Sequence, residues 1–265
     1  MQYLYFSKHF RDQNLPEIAS ILTKMGVDGA DFAVRPGYPV NPTNVAKALP
    51  EAISVFKSEG LAIPLVTAPT NMTDPSTPEA ARIFEACGEN GVRYIKIGYF
   101  RFMKDYAKEL AAARKQMEGF AKLGEKTGVR ACYHTHSGNY LGCNCAAQLL
   151  LLEGIDPHYV GSYVDTGHDT VDGAPLRMGL STVAEYFSLL AIKDMRYEKT
   201  DKGWRHVTVP VGEGIVDWKD VRRGLIDQHY NGIISLHAEY HTADLDERIA
   251  KAQSELAFLK KHLAT

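Results

Sequence analysis

The amino-acid sequence predicts a closed parallel (β/α)8 barrel, and three observations carry that prediction. Short apolar runs alternate with helix-like segments from end to end, a pattern that builds parallel sheets with right-handed crossovers. The chain has 265 residues, the length of one such barrel. Four polar clusters, Tyr133-His134-Thr135-His136, Asp165-Thr166-Gly167-His168, Lys193-Asp194 and His237-Ala238-Glu239, each close an apolar run. The steps from His134 to Asp165 to Lys193 to His237 are 31, 28 and 44 residues, one β/α unit each with extra loop in the last. In a barrel the C-terminal strand ends meet at one mouth, so these clusters predict an active site.

Each element follows from local pattern. Residues 3–7 read as the first strand, and Asn14 caps a helix to Met25 with Pro16 in its first turn. Residues 29–34 form the second strand, followed by a loop rich in Pro, Gly and Asn (35–44) and a helix ending at Gly60. The third strand is 62–67; its polar loop (68–77) leads to a helix reaching about Asn90. Residues 92–98 are the fourth strand, and a long amphipathic helix over 104–127 stops at Gly128. The fifth strand is 129–134 with its helix at 144–153, and the sixth is 159–165, followed by a loop and a helix near 175–184. The seventh strand, 187–193, is trailed by a longer segment, 194–217, that holds Trp204 and the turn Pro210-Val211-Gly212-Glu213-Gly214. A helix near 218–228, the eighth strand at 232–239 and a helix from about 244 to 262 complete the series. A doubly wound open sheet is the competing architecture. It calls for a Gly-rich turn after the first strand, where this chain has Lys8-His9-Phe10-Arg11. No change of composition marks a boundary, so one domain over residues 1–265 is expected.

Bulk properties narrow the function. Lys plus Arg number 30 against 32 Asp plus Glu, a net charge of -2, which gives no basic footprint for nucleic acid. No apolar stretch approaches the roughly 18 residues of a membrane helix. The N-terminus has neither a long apolar core nor a basic lead-in, so a cytoplasmic location is expected. Cys87, Cys132, Cys143 and Cys145 make no disulfide framework and suit a reducing compartment. Cys143-x-Cys145 lacks the second cysteine pair of a soft-metal site and reads as small residues at a helix start.

Residues two apart on a strand share a face, which pairs His134 with His136 and His237 with Glu239. Imidazoles with the Asp165 carboxylate make a ligand set for one divalent ion, Zn, Mn, Co or Fe rather than Ca. The alternative is a metal-free set of hydrogen-bonded histidines. Lys96 and Lys193 sit in apolar strand contexts. A buried lysine shifts its pKa readily and suits general-base or carbonyl-polarising work; a salt bridge to Asp194 or Asp165 is the structural alternative. His168, just past the sixth strand, is expected to contact substrate. Glu213 reads as part of a solvated turn. Trp204, Tyr99, Phe100 and Phe102 are able to wall a polyol pocket but receive no assignment.

The run Asp165-Thr166-Gly167-His168, the Lys193-Asp194 strand end, the segment Val211-Gly212-Glu213-Gly214-Ile215-Val216-Asp217-Trp218 and the strand Gly29-Ala30-Asp31-Phe32 resemble the xylose isomerase-like TIM barrels. The resemblance spans essentially the whole chain. That superfamily includes sugar phosphate isomerases and epimerases, hydroxypyruvate isomerase, inosose dehydratase and endonuclease IV. In its isomerase and epimerase branch the resemblance implies one divalent ion held by Glu, Asp, His and Glu on strands five to eight, with both Glu residues moving protons beside a carbonyl. Here Asp165 keeps the strand-six place, while His134, Ala191 and His237 stand at the other three. His136, His168 and Lys193-Asp194 match as accessory residues. Ala191 ligates nothing, and two imidazoles in place of carboxylates weaken the case for Mg. The trinuclear zinc centre of endonuclease IV needs more ligands than this chain supplies.

The expected function is therefore a sugar or polyol isomerase or epimerase, its substrate phosphorylated or not, acting by proton transfer next to a carbonyl. His134, Asp165 and His237 are the candidate metal ligands, Lys193, Glu239 and Lys96 the candidate catalytic residues, and His136 and His168 the candidate substrate contacts. An inosose-type dehydratase is the alternative within enzymes. A non-catalytic sugar-binding barrel is the alternative outside them. The expected partner is a small sugar or polyol; a homo-oligomer is compatible with the sequence.

Overall fold

The computed structural model describes residues 1–263. Eight parallel strands close into a barrel in the order β1-β10-β7-β6-β5-β4-β3-β2. These strands are β1 (Gln2–Phe6), β2 (Gly29–Ala33), β3 (Ala62–Thr67), β4 (Tyr94–Lys96), β5 (Arg130–His134), β6 (Val160–Asp165), β7 (Phe187–Ile192) and β10 (Ile233–Leu236). Helices α1 (Leu15–Met25), α2 (Val45–Ser58), α3 (Pro78–Glu89), α4 (Tyr106–Thr127), α5 (Cys145–Leu152), α6 (Thr166–Val171), α7 (Leu176–Thr182), α8 (Trp218–Asp227) and α9 (Leu245–His262) connect them. The remaining strands, β8 (Asp194–Thr200) and β9 (Gly203–Val209), pair antiparallel as a hairpin outside the barrel.

The helix boundaries have local causes. Asn14 and Glu17 form a reciprocal capping box on α1, and Gly26 ends it in the left-handed region at φ 76°. Asp105 caps α4, and Gly128, at φ 73°, stops it. Facing apolar residues of strands and helices form the outer core, with Phe32 edge-on to Phe56 and Phe84 stacked on Phe120. Full burial of each such side chain stabilises by about 1.5–3 kcal/mol.

Alternation along the strands decides what reaches the mouth. Leu4, Leu65, Tyr94, Cys132, Tyr163, Leu189 and Ile233 point inward and pack in the barrel interior. One pleat further, the same face carries Phe6, Thr67, Lys96, His134 and Asp165. On β7 that face runs through Ala191 to Lys193, and on β10 through Ser235 to His237.

Two elements depart from the sequence expectation. The segment expected as loop after the sixth strand begins with α6 at once, because the Asp165 side chain caps it from Gly167 N and His168 N. The long segment from residue 194 is largely the β8–β9 hairpin, where Arg196, Arg205 and Glu198 exchange exposed ion pairs. Trp204 lies exposed on that hairpin and walls no inner cavity.

Candidate active site

The barrel mouth encloses a cavity of about 110 Å³ among Phe6, Lys8, Arg35, Thr67, Thr70, Lys96, Tyr99, His134, His136, Lys193, His237 and Glu239. A wider outer groove of about 700 Å³ shares Thr70, Tyr99 and His136 with it. The buried ionisable groups Lys96, His134, Lys193 and His237 line the inner cavity, which makes it the candidate site.

Asp165 organises the floor. Its Oδ1 accepts from Gly167 N at 3.0 Å and His168 N at 2.9 Å. That leaves Oδ2 fully buried and without a hydrogen-bond partner among the described residues. His134 Nε2 stands 3.4 Å from this oxygen and is likewise unpartnered, while its Nδ1 meets Tyr99 Oη at 3.2 Å. His237 Nδ1 lies 3.8 Å from the same oxygen. The other His237 nitrogen, Nε2, is 3.2 Å from Asp31 Oδ2 and 3.0 Å from Tyr163 Oη. With Nε2–H donated to Asp31, Nδ1 turns its lone pair toward Asp165.

His134, Asp165 and His237 are the one group of three metal-capable residues among the described residues, their ligand atoms all within 4.8 Å of one another. The 3.4 Å and 3.8 Å from Asp165 Oδ2 to His134 Nε2 and His237 Nδ1 are separations that atoms each about 2.0–2.2 Å from one ion adopt. Two orphaned buried atoms and an imidazole oriented by an outer carboxylate fit a divalent ion with open positions. Cys143 and Cys145 lie outside this group: Cys145 Sγ bonds Asp169 Oδ2 at 3.3 Å instead.

Burial pushes the Asp165 carboxyl up, but the Lys193 ammonium, 3.6 Å away, together with His168 and His134 outweighs it and holds the group well below the usual carboxylate range. Lys193 Nζ also bonds Glu239 Oε2 at 2.7 Å and His168 Nε2 at 3.0 Å. Burial pulls the Lys193 pKa down, yet Asp165 and Glu239 more than restore it, so it stays an ammonium. Glu239 is pushed up by burial and pulled much further down by Lys193, then by His237 and by Lys8, the last 2.5 Å away. Desolvation pushes the His134 imidazole down to about 3, which keeps it neutral.

Lys96 differs from Lys193. It is buried with Nζ unpartnered, 3.6 Å from the Tyr99 ring centroid. Burial, then the like charge of Arg35, lowers its pKa well below the ordinary lysine value. Neither lysine uses Asp194. That carboxylate accepts from Gly212 N at 2.9 Å, Gly214 N at 3.1 Å, Val216 N at 3.2 Å and the Trp218 indole at 3.3 Å. A Cβ at Gly214 would lie 2.0 Å from Asp194 Oδ1, so glycine is required there. This wrapped loop anchors the residue next to Lys193, and Glu213 is exposed on its outside.

The sequence-predicted residues His134, Asp165, His237, Lys193, Lys96, Glu239 and His136 meet around this cavity or its floor. His168 does not line it. Its Nδ1 meets Ser137 Oγ at 2.8 Å and its Nε2 meets Lys193, so both nitrogens are engaged. His136 stacks on His168 with centroids 4.0 Å apart and faces both cavity and groove. Sequence reasoning left Asp31, Lys8 and Arg35 without a role. The available signal for Asp31 was a carboxylate inside an apolar strand, the same signal that singled out Lys96.

A closed parallel barrel with titratable side chains gathered at the C-terminal strand ends is the architecture of catalytic β/α barrels. Residues 19–262 match the family model described as xylose isomerase-like TIM barrel, and the chain belongs to that family. Among curated proteins it is similar to an inosose dehydratase of Lactiplantibacillus plantarum, 27% identical over 168 residues, covering 59% of this chain and 55% of that protein. It is also similar to one of Bacillus velezensis, 28% identical over 142 residues, 48% of this chain and 47% of that protein. The chain spans about half the length of the curated relatives it matches. Among solved structures, a D-psicose 3-epimerase with D-tagatose from Clostridium cellulolyticum H10 superposes over all of both chains, with TM-score 0.79 and 15% identity. A probable 3-DHS dehydratase from Bacillus anthracis superposes with TM-score 0.73 and 18% identity over 96% of this chain and 98% of the other. A family protein from Mycobacterium smegmatis in complex with magnesium has TM-score 0.73 and 13% identity over 99% and 98%. No helix among the described residues is long and apolar enough to cross a membrane.

Proposed function

We propose that this chain is an enzyme that moves a proton next to the carbonyl of a sugar or polyol, as an isomerase or epimerase does. One observation carries the reading: three buried polar atoms, His134 Nε2, Asp165 Oδ2 and Lys96 Nζ, make no hydrogen bond among the described residues and lie beside a single small cavity. Leaving such groups unsatisfied costs about 1–3 kcal/mol each, a cost that substrate or metal contacts offset.

His134, Asp165 and His237 would hold one divalent ion, Zn, Mn, Co or Fe, which when bound polarises the substrate carbonyl. Lys96, as a free amine, accepts the proton from the adjacent carbon. The electron pair of that C–H bond moves into an enolate, whose oxyanion takes a hydrogen bond from the Lys193 ammonium. Glu239 keeps Lys193 protonated and aimed rather than acting as base, because two ammonium groups hold it ionised. Epimerisation follows when the Lys193 ammonium delivers a proton to the opposite face, after which Lys96 and Lys193 exchange protons with solvent to reset; isomerisation follows when Lys96 returns its proton to the former carbonyl carbon while the neighbouring hydroxyl proton passes to the enolate oxygen. His136 contacts substrate hydroxyls, and His168 positions Lys193.

The similarity to inosose dehydratases favours a second reading. There the same enolate expels a β-hydroxyl, which leaves as water with a proton from Lys193. Incubation with keto-sugars and inososes in deuterium oxide, followed by proton NMR, tests both readings. Deuterium at the carbon next to the carbonyl, with or without an epimeric product, supports the first; an unsaturated ketone supports the second. Thermal stabilisation by a sugar with no exchange at all would replace both with a binding barrel.

A further inference from the structure

The cavity wall is unbalanced in charge. Lys8, Arg35, Lys96 and Lys193 line it, and Glu239 is the one carboxylate that does. Glu239 is shared between Lys8 and Lys193. Lys193 is answered by Asp165 and Glu239 and Lys8 by Glu239, so Arg35 is the charged group of the wall that no carboxylate among the described residues pairs with. Asp165 and Asp31 lie behind the wall and are engaged by Lys193 and His237. A divalent ion on His134, Asp165 and His237 adds positive charge to the same space.

Arg35 stands out among these groups. Its Nε donates to Ala68 O at 3.3 Å, and its guanidinium carbon sits 5.3 Å from the Phe6 ring centroid. These contacts fix the plane of the group, half-buried at the end of β2. Its two terminal nitrogens have no protein partner among the described residues. A guanidinium always carries its charge, and its paired N–H donors match the two oxygens of a carboxylate. A neutral sugar leaves that fork and the excess charge unanswered.

We propose that the substrate is a keto-polyol carrying one carboxylate, held by the terminal nitrogens of Arg35 with Lys8 beside them, while its carbonyl end faces Lys96 and Lys193. This rests on the proton-transfer reading for what happens after binding, but not for the binding itself.

D-fructose, D-fructuronate and D-fructose 6-phosphate form a probe set: the second and third replace the C6 hydroxymethyl of the first by a carboxylate or add a phosphate there. Calorimetric titration of each into the intact protein is expected to give fructuronate the lowest Kd, by about tenfold or more, the scale of one charge-assisted hydrogen bond. Arg35→Gln should erase most of that advantage. Arg35→Lys, which keeps the charge but loses the fork, should erase part of it and guards against a misfolded Gln variant. Fructuronate binding no better than fructose overturns the proposal, as does an advantage that Arg35→Gln leaves intact. Fructose 6-phosphate binding tightest, with the same Arg35 dependence, overturns the carboxylate in favour of a phosphate ester. Deuterium exchange is read separately on the same samples. Arg35-dependent fructuronate binding without exchange sustains this proposal and removes the proton-transfer reading. Exchange with fructose and no preference for fructuronate does the reverse.

Discussion

Asp31 holds His237 from behind: Asp31 Oδ2 takes Nε2 at 3.2 Å, and the opposite ring nitrogen is thereby turned to Asp165. The same Asp31 oxygen is bonded by Tyr163 Oη at 2.9 Å and Ser235 Oγ at 3.2 Å, so the imidazole is oriented by a buried network. Asp31→Asn weakens that orientation without touching the cavity. The expected result is a loss of about 10–100-fold in zinc affinity, measured by competition with a chromophoric chelator; unchanged affinity would remove His237 from the ligand set.

Asp165 divides its work between its oxygens, Oδ1 on the start of α6 and Oδ2 on the site. Asp165→Asn keeps an acceptor for Gly167 N and His168 N while replacing the oxygen that faces His134. Solvent exchange should fall at least about a hundredfold with the melting transition still cooperative. Asp165→Ala adds loss of the cap, worth about 1 kcal/mol, to the same loss of exchange.

Lys96 predicts opposite effects on stability and activity. Replacing an unpartnered buried amine by an apolar chain of similar length removes a desolvation cost, so Lys96→Met should stabilise by about 1–3 kcal/mol in urea titrations. Exchange should vanish in the same variant. A stable variant with full exchange would leave Lys96 outside the chemistry.

Glu255 on α9 predicts a pH dependence remote from the site. It is buried and accepts from Val211 N at 3.1 Å, and burial above all raises its pKa to about 7. Between the unfolded carboxyl value and about 7 the native state binds the extra proton. Stability from this group is therefore present at low pH and declines as pH rises toward about 7. Glu255→Gln, which keeps the acceptor and cannot ionise, should raise the melting temperature at pH 8 and leave it nearly unchanged at pH 5. Equal shifts at both pH values would point to packing instead.

The barrel was legible because each strand is a short apolar run and its polar end lies where the chain leaves the sheet. His134, Asp165, Lys193 and His237 could be grouped from spacing alone, since inward-facing residues at neighbouring strand ends converge. The β8–β9 hairpin was not legible: its strands are polar and exposed, with no apolar alternation. The role of Asp194 was hidden because its partners lie 18 to 24 residues away in a loop that folds back over it. Lys8 and Arg35 follow strands whose neighbours are set only by closure of the barrel, and their distances to Glu239 and the cavity have no local signature. His168 was singled out for its place just past the sixth strand, and nothing in sequence shows that Ser137 and Lys193 engage its two nitrogens.

Pairing of β1 with β10 brings Lys8 to Glu239 across 231 residues and Asp31 to His237 across 206. During synthesis the residues that tune the site therefore emerge first and wait for partners that emerge near the end. Until β10 docks, Lys8 follows an open edge strand, β1, with Arg35 just past the strand beside it, and no ligand meets a finished binding surface. Ligand affinity is thus a direct readout of completed closure, and any chaperone or protease that acts on the nascent chain meets it before it can be protected by what it binds.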